Sequence, residues 1–154
     1  MIEIVRNTDV VASPVDVWAV LSDFGGISAW ADVVDHSCLM SGQTEGVGAV
    51  RRIQSGRVTI VERVHLWEPP SALGYGIEGL PPLVKSASNT WRVDSTDPGS
   101  TVSLATDVDC GPRPPQRVIA QAAARRLAGT CERLLADLDR LLQQRGAATT
   151  GTTT

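Results

Sequence analysis

Residues 12–24 have the sequence ASPVDVWAVLSDF, and Trp30 follows after a short glycine-containing stretch. Ser13 is a favourable N-cap, and Pro14 stands at the first helical position, where its missing N–H leaves no hydrogen bond unmade. This part of the chain therefore predicts a strand that ends at a capped helix, followed by a second short turn of helix over residues 25–29. Three apolar residues inside the stretch recur at helical spacing: Val17, Val20 and Leu21.

The rest of the chain predicts an antiparallel meander and one long helix. Short turns rich in glycine and proline separate the apolar segments, which favours strands joined as hairpins. A proline-rich stretch over 111–115 ends the last strand, and a helix is expected over about 116–145. We expect one domain, residues 1–145, and a disordered polar tail, residues 146–154. The predicted strands are residues 2–11, 33–40, 46–54, 57–67, 72–78, 84–94 and 101–110.

Composition excludes several classes of protein. The 154 residues carry a net charge of -3, which argues against a nucleic-acid partner. No apolar run reaches the roughly 18–20 residues of a membrane helix, and no basic segment precedes an apolar one at the N-terminus. The cysteines are odd in number and widely spaced, so reduced, buried thiols in a cytoplasmic protein are expected. A monomer or a homodimer is expected as well. No metal site or cofactor is predicted.

The predicted last helix has an apolar stripe whose character changes along its length. Its first half is alanine and its second half is leucine, and a sheet curled around it is expected to be hollow at the alanine end and solid at the leucine end. The alternative is that alanine allows close packing of the helix on the sheet. The stripe comprises Ala120, Ala123, Ala124, Leu127, Cys131, Leu134, Leu138, Leu141 and Leu142.

The predicted hairpin around Ser55 and Gly56 brings two charged residues to its more apolar face. A two-residue loop at these positions places Arg51 opposite Ile60, with Glu62 a diagonal neighbour of Arg51. A buried carboxylate needs a partner, and Arg51 is the natural one. We therefore expect the pair to form the polar floor of an apolar pocket, or else a purely structural ion pair.

Strand alternation supplies further candidate wall residues: Tyr75, Asn89, Trp91, Thr106 and His36. Core packing and pocket lining are both open for Trp30 and Trp91, whereas Trp18 is expected in the core. Three residues are candidates for proton transfer: Glu62, His36 and Tyr75. The G-x-G-x-x-G match at residues 74–79 is rejected as a dinucleotide site, because prolines rather than a helix follow it.

The order of these elements resembles the START-like helix-grip (SRPBCC) superfamily and, within it, the polyketide cyclase/dehydrase and lipid-transport family. The residues that carry the resemblance lie in 12–24, at Trp30, in 61–64, at Tyr75, in 91–93 and in the closing helix. It implies an α+β helix-grip fold, with a curved antiparallel sheet of about six or seven strands around a long C-terminal helix and two short helices after the first strand. It also implies a cavity, whose candidate ligand-binding residues are Trp30, Arg51, Glu62, Tyr75, Asn89, Trp91, Thr106, Ala123 and Leu127.

Three functions remain open at this point. The leading hypothesis is binding of a small hydrophobic molecule, lipid or polyketide-like, between the sheet and the last helix. The first alternative is a cyclase or dehydratase that uses the same cavity for proton transfer. The second alternative is an interaction protein, and its only indication is an expected outer row of Val61, His65 and Trp67.

Overall fold

The computed structural model describes the backbone of residues 1–150 and the side chains of residues 1–147. Within that range the chain forms two α-helices, one 3₁₀ helix and seven strands. The helices are α1 (Pro14–Leu21), the 3₁₀ helix (Phe24–Ala29) and α2 (Pro114–Thr150). The strands are β1 (Ile2–Val10), β2 (His36–Leu39), β3 (Val50–Ser55), β4 (Val58–Glu68), β5 (Ala72–Glu78), β6 (Ser86–Ser95) and β7 (Ser100–Asp109).

The sheet is an open meander from β2 to β7, and β1 pairs with β7 at one edge. The strand order is β1-β7-β6-β5-β4-β3-β2, and every neighbouring pair is antiparallel. Helix α2 packs mainly against β1 and β7, so it lies along one side of the curved sheet. The predicted α+β helix-grip fold is confirmed. No described helix is long and apolar enough to cross a membrane.

Helix α1 begins as its sequence predicts. The Ser13 hydroxyl accepts a hydrogen bond from the backbone N–H of Asp16 at 3.3 Å, which satisfies one of the free donors of the first turn. The predicted apolar face is buried against the main core. Its members are Val17, Val20 and Leu21.

The β3–β4 hairpin differs from its prediction by one residue in the loop. Ser55 pairs with Val58, so the loop begins at Gly56. Gly56 has φ +59°, which suits the first position of a two-residue hairpin loop and which other residues rarely adopt. Moving the loop by one residue shifts the pairing by two, so Arg51 lies directly opposite Glu62 rather than diagonal to it. A shift of two leaves the same residues on the inner face.

The pairing of β4 with β5 shifts its register between Val64 and Leu66, which changes the expected outer row of Val61, His65 and Trp67. A bulge changes which side chains point inward, and Trp67 packs against the core, with its ring centroid 5.2 Å from that of Trp18. The expected outer row with Trp67 is therefore wrong. Gly74 lies opposite Leu66, and a Cβ there would meet the Leu66 side chain at 3.1 Å, so this glycine permits the strands to approach.

The first half of helix α2 packs closely on the sheet, so the hollow expected at its alanine end is wrong. Ala120 and Ala124 are buried against Val108 and Cys110, so the alanine half packs closely on the sheet, as the alternative proposed. The leucine half fills the main core as expected. Helix α2 also extends to Thr150, beyond its predicted end. The rest of the predicted tail, residues 151–154, lies outside the described residues.

Candidate functional site

The largest space next to the charged floor is a cavity of about 380 Å³. It lies between the middle of α2 and strands β3 to β6, and residues 32–35 cover it from the side of β2. Eight of the seventeen residues that line it are aliphatic, which favours an occupant with apolar surface. The aliphatic residues are Ile27, Val33, Val34, Ile53, Ile60, Ile77, Leu127 and Leu134.

A buried ion pair forms the floor of this cavity. The Arg51 Nη2 donates to Glu62 Oε2 at 3.0 Å, and both side chains are almost completely removed from solvent. Arg51 Nη1 also donates to the backbone carbonyl of Phe24 at 2.9 Å, which ties the sheet to the 3₁₀ helix. Glu62 borders the cavity, whereas Arg51 lies beneath it.

Aromatic rings hold the guanidinium in place. The Arg51 Cζ atom lies 3.9 Å from the centroid of the Phe24 ring and 4.8 Å from that of Tyr75. Such contacts with ring faces are favourable for a cation and are strongest where water is excluded. Of the Arg51 nitrogens, Nε is buried with no hydrogen-bond partner among the described residues. The ion pair is therefore oriented by packing as well as by charge.

A polar network continues from the floor towards α2. The Tyr75 hydroxyl accepts a hydrogen bond from Trp91 Nε1 at 3.2 Å and has Asn89 as a second partner. The Thr106 hydroxyl donates to Asn89 Oδ1 at 2.7 Å and lies 3.0 Å from the Cys131 sulfur. Burial, together with the negative charge of Glu62 nearby, raises the pKa of Tyr75 to about 12. The phenol therefore remains protonated at neutral pH.

Two carboxylates fix the segment that covers the cavity. Asp35 Oδ2 accepts from the backbone N–H of Gly56 at 2.6 Å, which joins residues 32–35 to the β3–β4 loop. Asp137, a buried residue of α2, accepts from the backbone N–H of Asp32 at 2.9 Å. The covering segment is thus anchored to the sheet at one end and to the helix at the other.

The predicted site residues fall into three groups. Those that line the cavity are Glu62, Tyr75, Asn89 and Leu127. Those that border a separate void of about 10 Å³ beneath it are Arg51, Trp30 and Trp91. Those that line neither space are Thr106, Ala123 and His36.

Two of the predictions about the last group are wrong. His36 begins the short edge strand β2 and is exposed, so its expected position on an inner wall is wrong. Ala123 packs with the cluster of residues under β1 and β7, away from the cavity. Thr106 is buried but reaches the cavity only through its hydrogen bond to Asn89.

Sequence reasoning missed the polar residues at the cavity mouth: Asp32, Asp35, Thr130 and Arg133. It also missed Asp137, although a signal was present, because Asp137 follows Leu134 by three positions and precedes Leu141 by four. That spacing puts a carboxylate on the apolar face of α2. Among the residues described, no group of three or more His, Cys, Asp or Glu side chains is arranged to hold a metal ion.

The sequence profile of the polyketide cyclase/dehydrase and lipid transport family matches residues 1–143. The chain belongs to this family. The match covers every element described above except the end of α2. No curated protein sequence matches the chain.

Solved structures similar to this member of the polyketide cyclase/dehydrase and lipid transport family share its fold. XoxI from Bacillus cereus is 20% identical with a TM-score of 0.76, over 93% of this chain and 96% of that one. The Zhui aromatase/cyclase from Streptomyces sp. R1128 is 18% identical with a TM-score of 0.77, over 94% of each chain. The di-domain ARO/CYC StfQ from the steffimycin biosynthetic pathway is 12% identical with a TM-score of 0.79, over 94% of this chain and 51% of that one.

Proposed function

We propose that the protein binds a small, mainly apolar molecule in the cavity between α2 and strands β3 to β6. The observation that carries the proposal is a space of about 380 Å³ whose inner wall is formed by aliphatic residues and by Glu62, the carboxylate of a buried ion pair. This volume lies at the lower end of the range of about 300–1,000 Å³ that is typical of ligand pockets. Each 100 Å² of apolar ligand surface removed from water contributes about 2.5 kcal/mol.

A second candidate is a cyclase or dehydratase that uses the same cavity. It is favoured by one observation, namely that a carboxylate and a protonated phenol, Glu62 and Tyr75, both border an apolar space. In this hypothesis Glu62 accepts a proton from a bound chain, and the cavity wall holds that chain in a reactive shape. The Zhui and StfQ structures, described as aromatase/cyclase and ARO/CYC, support it through their fold.

Native mass spectrometry of the purified protein tests the binding proposal. We expect one bound organic molecule per chain, which is released on denaturation. Thr130→Trp places a large side chain at the cavity wall and is expected to abolish binding, whereas Ala136→Trp adds the same side chain to an exposed position of α2 and serves as the matched control. An empty protein that also fails to bind the neutral dye N-phenyl-1-naphthylamine would contradict the proposal.

The variant Glu62→Gln separates the two candidates. An enzyme that has lost its base retains unreacted substrate, so the molecule released from the variant differs from the one released from the native protein. A dehydratase substrate is heavier than its product by one water, and a cyclase substrate that is an isomer of its product differs in chromatographic retention and fragmentation. A carrier releases the same molecule from both proteins. Circular dichroism of the variant provides the control for folding.

A further inference from the structure

Glu62 presents an unused hydrogen-bond acceptor to the cavity. Its Oε2 atom accepts from Arg51, and no residue among 1–147 donates to Oε1. Arg51 Nε is the only completely buried side-chain nitrogen or oxygen without a partner in that range, so Oε1 is not completely buried and is open to the cavity that Glu62 borders. Because the guanidinium of Arg51 is always charged, the paired group is a carboxylate, which accepts hydrogen bonds and donates none. A ligand group that contacts Oε1 must therefore supply a proton donor.

Tyr75 supplies the complementary donor on the same wall. Its hydroxyl oxygen already accepts from Trp91, and Asn89 is its other partner. The Thr106 hydroxyl donates to the Asn89 carbonyl, and the hydrogen bond from Asn89 lowers the pKa of Tyr75, which is the effect of its N–H₂ donating to the phenol oxygen. With two donors on its oxygen, the phenol has only its own proton left to offer.

These two groups are close neighbours. The pairing of β4 with β5 sets Glu62 opposite Ile77 and Val64 opposite Tyr75, which places Glu62 and Tyr75 on a diagonal of one face. Arg51 contacts both, through its ion pair with Glu62 and its position over the Tyr75 ring. The cavity therefore offers one fixed acceptor and one fixed donor side by side.

We propose that the ligand carries a neutral hydroxyl group, of a phenol or an alcohol, which donates to Glu62 Oε1 and accepts from the Tyr75 hydroxyl. This inference rests on the proposed binding function and names its ligand class. A hydroxyl satisfies both wall groups, whereas a ketone or an ether satisfies only Tyr75 and sets its oxygen against a carboxylate. A ligand carboxylate is disfavoured further, since three carboxylates, of Glu62, Asp32 and Asp35, border the cavity against one cation, Arg133.

Calorimetric titration with four naphthalene compounds tests the inference on the intact protein. We expect 2-naphthol to bind at least about tenfold more tightly than naphthalene, because a hydrogen bond to a charged acceptor is made only by the naphthol. We expect 2-methoxynaphthalene to bind no better than naphthalene, and 2-naphthoate to bind at least tenfold more weakly than 2-naphthol. Equal binding of naphthalene and 2-naphthol refutes the hydroxyl assignment but leaves apolar binding intact. No binding of any of the four contradicts the proposed function itself.

A double variant tests whether the floor is the source of this preference. Arg51→Met with Glu62→Leu removes both charges together, so no buried charge is left unpaired. We expect its ratio of 2-naphthol to naphthalene affinity to fall to within about twofold, since the charged acceptor is gone. Arg63→Met with Glu78→Leu alters an exposed pair next to it on the outer face and is the matched control, expected to retain the native ratio. A double variant that keeps the native preference overturns the assignment to Glu62.

Discussion

Removal of one partner of the buried ion pair is expected to destabilise the protein strongly. Glu62 is only 4% exposed, so Arg51→Met leaves a buried carboxylate without its cation. The substitution also removes the donor to the Phe24 carbonyl. Breaking a buried pair in this way costs about 3–5 kcal/mol. That is a large part of the total stability of about 5–15 kcal/mol that is usual for a domain.

The double variant Arg51→Met with Glu62→Leu is expected to be more stable than either single variant. Replacement of a buried pair by apolar side chains of similar volume is often close to neutral, because the cost of removing both charges from water disappears together with their attraction. We therefore expect a coupling free energy of at least about 2 kcal/mol between the two positions.

Urea unfolding followed by tryptophan fluorescence measures these effects. With a slope of about 2 kcal/mol per molar urea, Arg51→Met should lower the unfolding midpoint by roughly 2 M. The exposed pair of Arg63 and Glu78, whose atoms are 3.4 Å apart, provides the matched control, and Arg63→Met should cost less than about 1 kcal/mol. The reasoning is refuted if the two arginine variants lose similar stability, or if the losses at Arg51 and Glu62 simply add.

Three further outcomes are expected. Tyr75 is the sole tyrosine, so absorbance at 295 nm should show one ionisation, near pH 12 rather than 10, and a midpoint near 10 contradicts this. The free energy of unfolding should fall as the pH rises between these values, since only the folded state holds the proton there. Cys110 and Cys131 are buried as expected, whereas Cys38 is exposed, so the expectation of a buried thiol is wrong there. An aromatic disulfide reagent should therefore label only Cys38 in the native protein and three thiols after unfolding, since burial also raises the pKa of Cys131, and rapid labelling of three native thiols contradicts this. Ser13→Ala should cost about 1 kcal/mol in urea unfolding through loss of the cap, and an unchanged midpoint contradicts this.

Local patterns predicted most of the elements and failed where the backbone departs from regular geometry. The cap at Ser13 was sufficient to predict where α1 begins. The alternation along β4 was sufficient to predict that Glu62 points inward. The loop position at Gly56 was missed by one residue, since serine and glycine both suit turns. The bulge after Val64 was not foreseen either, so Trp67 was assigned to the wrong face.

The ion pair at the floor of the cavity could be predicted from the sequence, whereas the polar residues at its mouth could not. The pairing of a carboxylate with an arginine follows from the cost of burying a lone charge, and this requirement is visible in two adjacent strands. His36 was assigned inward by alternation alone, but β2 is a four-residue edge strand on which that residue is exposed. Asp32 and Asp137 become neighbours only through the packing of the covering segment on α2, and Asp35 meets Gly56 only because that segment also reaches the β3–β4 loop.

The sequence by itself determined the order of the elements, the capped first helix and the inward charge pair, because each depends on interactions between residues close along the chain or on adjacent strands. The tertiary structure alone decided where the cavity lies. A cavity is the space left between elements, and its position depends on how closely each part of α2 approaches each strand. The alanine half of α2 settles against β1 and β7, so the space remains further along the helix, beside Leu127 and Leu134.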